Sequence, residues 1–132
     1  MNIRAASSIA CLTAGLILAL PAAADAASLR LRCEKRFDPA RSKISVDGRN
    51  VSPNAIYTAR VISGPNQATA RPKSAVGDEV EFDFDSNPND IRAGATRIGA
   101  NFIRNGSVRA AIFNAAGNMV AGPTTAACEI RR

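Results

Sequence analysis

The chain reads as all-β: a small antiparallel β-sandwich of immunoglobulin-like size, with at most one short helical turn near residues 88–94. Three observations predict this. Apolar residues recur with a period of two, most cleanly where Val80, Phe82 and Phe84 alternate with Glu81, Asp83 and Asp85. Turn signals such as Asp38-Pro39, Asp47-Gly48, Pro53-Asn54 and Asn105-Gly106 punctuate the chain. Cys33 and Cys128, near its two ends, offer a disulfide that closes the domain.

Residues 1–26 have the layout of a cleaved signal peptide. Arg4 supplies a positive start, Ile9–Leu20 an apolar run and Ala24-Asp25-Ala26 an A-x-A site. Cys11 lies inside the apolar run with Ser8 at its −3 position, which argues against a lipid-anchored cysteine. The run is too short to span a bilayer, and the mature chain has no other stretch that does. Residues 27–132 are therefore expected to form one exported domain, periplasmic or extracellular. Its large aliphatic residues are sparse and its Ala content high, so the core is thin and the disulfide matters. A reactive dithiol would need C-x-x-C spacing or a nearby His, and neither exists.

Leu29–Arg36 alternates Leu29, Leu31 and Cys33 with Arg30, Arg32 and Glu34, which makes a first strand with Cys33 inward. Asp38-Pro39 breaks it. Ser42–Val46 is the second strand, expected to end in a hairpin turn at Asp47-Gly48. After the Pro53-Asn54 turn, Ala55–Ile62 forms a strand with Tyr57, Ala59 and Val61 inward and Ile56 and Ile62 outward. Residues 63–76 read as a long connection, marked by Gly64-Pro65 and Arg71-Pro72. The acidic strand follows. Asn87-Pro88-Asn89-Asp90 then carries a polar cap, a Pro at the first helical position and an acid in the first turn, with Gly94 as the stop. Residues 97–104 and 107–114 read as a hairpin about Asn105-Gly106, with Ile103 opposite Val108 and Phe102 opposite Arg109. Turns at Ala116–Asn118 and Gly122-Pro123 set off a short Met119–Ala121 segment. A last strand, 124–131, carries Cys128 and Ile130 on one face.

Composition argues against catalysis. The chain has no His, which removes imidazole acid–base chemistry, His-based triads and His metal ligands. No phosphate-cradling glycine loop is present. Glu81, Asp83 and Asp85 share one strand face, and a thin domain leaves little room for the cleft a carboxylate pair would need. The expected role is a non-catalytic binding or structural module with no cofactor.

Two binding readings follow. Arg4 and Asp25 cancel within the leader, so the net charge of +6 belongs to the mature domain. Arg30, Arg32, Lys35, Arg36, Arg41 and Lys43 cluster early, and Arg outnumbers Lys, which suits planar, bidentate contact with an anion. The partners in view are an anionic polysaccharide, a lipid head group or an acidic protein. Nucleic acid is disfavoured, since one Tyr and no Trp offer few stacking platforms. The alternative is a calcium-stabilised adhesion-type module, because Asp83, Asp85, Asn87, Asn89 and Asp90 alternate oxygen donors. Pro88 and Gly94 depart from the usual calcium loop, and the acids are also accounted for by pairing across the sheet with Arg30, Arg32 or Arg60 while Asn87 and Asp90 cap a helical turn. A protease inhibitor presenting residues 63–76 is the third reading.

Overall fold

The computed structural model describes residues 26–132. The leader assignment therefore lies outside the described residues except for Ala26. Two sheets face each other. The first has the order β10-β1-β2-β6-β7, from Ser28–Arg36 (β1), Arg41–Arg49 (β2), Glu79–Asp85 (β6), Thr96–Arg97 (β7) and Glu129–Arg131 (β10). The second has the order β4-β3-β8-β9, from Ile56–Ser63 (β3), Asn66–Thr69 (β4), Ser107–Asn114 (β8) and Met119–Ala127 (β9), with Lys73–Ser74 (β5) also on β3. Among the described residues the one helix, α1, is Pro88–Arg92. The all-β sandwich holds, with parallel pairings added at both edges of the first sheet, β1 with β10 and β6 with β7.

The alternation that marks each strand is the alternation that fills the core. Ile44, Val46, Val80, Phe82 and Phe84 point inward from the first sheet and meet Tyr57, Ala59, Val61, Val108 and Ile112 from the second. The inward register of Tyr57, Ala59 and Val61 is as expected, and the Tyr57 hydroxyl accepts a hydrogen bond from the Ser52 amide at 2.9 Å. Removing such a surface from water is the main favourable contribution to folding, and Ala at several core positions keeps it modest.

Asp47-Gly48 is not a turn. Both residues lie inside β2, paired with Arg30 and Leu29 on one side and Glu81 and Val80 on the other. Glycine is required there by packing: a Cβ on Gly48 would sit 2.7 Å from Ile112 Cδ1 and 2.9 Å from Val80 Cγ1. Gly48→Val is accordingly expected to destabilise the domain by roughly 1–3 kcal/mol through overpacking, read as a lower denaturation midpoint.

Residues 63–76 are not one open loop. The chain turns at Gly64-Pro65 and runs back along β3 as β4 and then β5, so about half of the segment read as an inhibitory loop is strand. The Asn105-Gly106 turn forms, with positive φ at both residues (54° and 63°), as a two-residue hairpin turn demands. Its first arm does not. Beyond the single Arg104–Ser107 bridge, residues 98–104 leave the strand path and cross from the first sheet to the second, burying Ile98, Phe102 and Ile103 between them.

Two buried serines explain why this crossing needs no ladder. Ser42 Oγ in β2 donates to the Ala100 carbonyl at 2.8 Å and accepts from the Ile103 amide at 3.2 Å. Ser63 Oγ in β3 accepts from the Arg104 amide and donates to the Ser107 carbonyl, both at 2.7 Å. Lys35 Nζ adds bonds to the Ala100 carbonyl at 2.6 Å and Asn101 Oδ1 at 2.9 Å. Backbone groups that a strand would pair are satisfied by side chains instead. Ser42→Ala strips the Ile103 amide of its partner inside the core and is expected to cost about 1–3 kcal/mol in a denaturant titration.

The C-terminal strand divides in two. β9 runs through Gly122-Pro123 beside β8, with irregular register between Ala110 and Phe113, and the chain then leaves the second sheet. After Cys128 it joins β1 of the first sheet as β10, which leaves Ile130 half-exposed instead of in the core. The Cys33–Cys128 disulfide stands at this change of sheet, with Cα atoms 4.6 Å apart.

Candidate functional site

Arg30, Arg32, Arg36, Arg41, Lys43, Asp83 and Asp85 lie on the outer side of the first sheet, Asn87, Asn89 and Asp90 at the adjoining helix α1, and Lys35 points inward. Strand pairing sets them in rows: Glu34–Lys43–Asp85, Arg32–Ser45–Asp83 and Arg30–Asp47–Glu81. Every row mixes signs. Arg32 pairs with Asp47 at 3.3 Å, Arg49 with Glu79 at 3.4 Å and Arg131 with Glu34 at 3.3 Å, while Arg36 also holds Glu34. The Glu34 carboxyl is held below its ordinary range, chiefly by its hydrogen bond from Arg36. A shallow groove of about 740 Å³ crosses this face, with Arg32, Lys43, Glu81 and Asp83 among its lining residues and Arg71 and Lys73 at one rim.

Arg41 organises one end of the face. Its Nε donates to Asp85 Oδ1 at 3.0 Å, and its Nη2 reaches both Asp85 Oδ2 at 2.7 Å and Asp90 Oδ2 at 2.8 Å. Asp85 also accepts from the Asn87 amide at 2.9 Å and is 1% exposed, although it sits on the strand's outward side. Helix α1 and the segment that follows it cover the site. Burial alone would raise the Asp85 carboxyl, but the Arg41 hydrogen bonds and the Asn87 amide outweigh it, and the group stays below its ordinary range. The same contacts raise the Arg41 guanidinium.

The residues of the calcium reading have protein partners here. Asp85 and Asp90 come together, but on a guanidinium. Asn87 Oδ1 caps the helix by accepting from the Asn89 amide at 2.8 Å, and Asn89 Oδ1 takes the Arg92 side chain. Asp83 Oδ1 accepts from Ser45 Oγ at 3.0 Å. Each of the five side chains thus has a protein donor, Arg41 serving two of them, and among the described residues no group of three or more acidic, His or Cys side chains is disposed to hold a metal. Melting curves in EDTA and in millimolar calcium are expected to coincide.

Most of the cations read as a binding cluster are engaged as well. Lys35 is buried at the end of the sandwich, where burial foremost, and secondarily Arg104, lowers its ammonium pKa. Arg41 is taken by two carboxylates, and Arg32 and Arg36 each by one. Of the six proposed cations, Arg30, Lys35 and Lys43 make no ion pair among the described residues; Lys35 is buried on amide oxygens, and Arg30 and Lys43 face into rows that carry acids. The face is a lattice of compensated charge.

Positive charge without neighbouring acid lies elsewhere. Residues 51–77 and 91–128 contain no Asp or Glu, and these stretches supply every strand of the second sheet. Arg60 in β3 and Arg109 in β8 stand on that sheet's outer face without an ion pair among the described residues. Reading clusters of basic residues missed both, because each is isolated in sequence. The signal was the missing acid around them. Among the described residues no helix is long and apolar enough to cross a membrane. No family model matches the chain, and neither a curated protein nor a solved structure shows significant similarity to it.

Proposed function

We propose that the protein is an exported, non-catalytic binding module for an anionic partner, and that the partner meets the second sheet instead of the arginines of β1 and β2. One observation carries this reading: β3, β4, β8 and β9 hold no carboxylate, so Arg60 and Arg109 act on solvent without a local counter-charge. On the first sheet any incoming anion meets an acid beside each cation. Guanidinium groups fit phosphate, sulfate and carboxylate in a bidentate way, and no cofactor is needed for that.

The test is retention on immobilised dextran sulfate under a rising salt gradient. Arg60→Glu/Arg109→Glu is expected to elute at clearly lower salt than the parent. Arg30→Glu/Arg32→Glu makes the same change in net charge and is expected to elute later than that variant. Equal losses would mean that net charge alone is being read, and the reading would fall.

A further inference from the structure

The cations of the second sheet are not set among polar side chains. Strand pairing places Ile62 beside Arg109, Arg60 beside Ala111 and Phe113 beside Met119. Ile56, Ile62 and Met119 are 42%, 38% and 47% exposed, well above what a core-facing residue shows. The Arg60 guanidinium lies over the Phe113 ring, 5.1 Å from its centroid, which holds the charge down at the level of the apolar side chains. A depression of about 230 Å³ runs between them, lined by Arg60, Ile62, Arg109, Phe113, Met119 and Pro123. It is open to solvent and carries no acid.

Resting on the anion-binding reading above, we infer that the outer face of the second sheet docks on an anionic lipid surface. Charge complementarity argues for this occupant: guanidinium groups and bare aliphatic side chains share one face, and nothing there repels phosphate. Head-group phosphates would take Arg60 and Arg109, while Ile56, Ile62 and Met119 enter the boundary between head groups and acyl chains. A soluble anionic polymer uses the arginines but leaves the apolar residues in water. An acidic protein would need a longer row of cations than two. A second copy of the chain would have to bring the acids of β6, and those rows already contain Arg and Lys.

Co-sedimentation of residues 26–132, which carry both sheets, the core and the disulfide, tests the inference with vesicles of phosphatidylglycerol or of phosphatidylcholine. Binding is expected to phosphatidylglycerol alone and to weaken with salt. Arg60→Glu/Arg109→Glu is expected to weaken it about tenfold or more, from two reversed surface charges. Ile62→Ser/Met119→Ser, which leaves the charge unchanged, is expected to weaken it severalfold, whereas Arg30→Glu/Arg32→Glu keeps it. All of these positions are exposed, and unchanged melting of each variant confirms that the fold is intact. Full binding by the Ile62/Met119 variant would overturn the inference, as would loss in the Arg30/Arg32 variant or sedimentation of self-associated protein without vesicles. Retention on dextran sulfate without vesicle binding sinks the lipid surface and leaves the anion-binding reading standing. Failure of both sinks both.

Discussion

Reducing the Cys33–Cys128 bond is expected to lower stability by roughly 4–5 kcal/mol, because it frees a loop of about a hundred residues in the unfolded chain. The sequence separation of the two cysteines is 95, so nearly the whole domain lies inside the covalent ring. In a domain of this size such a loss corresponds to a fall in melting temperature of roughly 20 °C or more. The thin core makes the loss hard to absorb, since Ala59, Ala70, Ala75, Ala110 and Ala121 occupy buried positions where larger side chains would bury more apolar surface. Thermal melts with and without a reductant, beside a Cys33→Ser/Cys128→Ser variant insensitive to it, measure the effect. A shift of only a few degrees would mean that the two sheets hold each other without the bond.

Arg41→Ala is expected to cost about 3–5 kcal/mol, because it strands the Asp85 carboxylate in a site closed to water. Arg41 contributes three side-chain bonds there, and only the Asp90 partner is well exposed. Replacing both ends, as in Arg41→Met/Asp85→Leu, removes the stranded charge and is expected to recover much of the loss. The pH dependence has a definite sign. The folded Asp85 carboxyl lies below its ordinary range, so the unfolded chain binds the proton more readily. This stability is fully present above the unfolded value, about 3.9, and is lost as pH falls through the lower folded value. Glu34 acts in the same sense. Urea midpoints measured downward from neutral pH should therefore hold steady and then drop in the acid range. In Asp85→Asn that drop is expected to shrink.

What was legible from residue order was local. The period of two in β6, the cap and Pro at α1, the inward set of β3 and the Asn105-Gly106 turn each follow from a few neighbouring residues, and each stands where those residues put it. What was not legible depends on partners far along the chain. Asp47-Gly48 has the composition of a hairpin turn, but β6 pairs on through it and Ile112 needs the space that glycine leaves. Residues 98–104 alternate like a strand, yet Ser42 and Ser63 claim their backbone groups from opposite sheets. Among the candidate site residues, Arg41 looked like one cation in a basic run and is the residue on which two of the proposed calcium ligands close. Arg60 was read as a partner for the acids of β6 and Arg109 only as the residue opposite Phe102; in the fold Arg60 pairs with no acid and lies on the other sheet, because a face without acids is assembled from strands distant in sequence.

The disulfide at the change of sheet also decides how the domain would bear tension. A pull on its two ends reaches the covalent bridge after acting on only Ala26–Arg32 on one side and β10 on the other. The near half of β1 would shear from β2 and β10 would peel from β1, and there the extension would stop. β2 to β9 lie within the ring, off the line of force. A domain wired in this way carries load through the bridge while the second sheet, which lies wholly within the ring, keeps its shape.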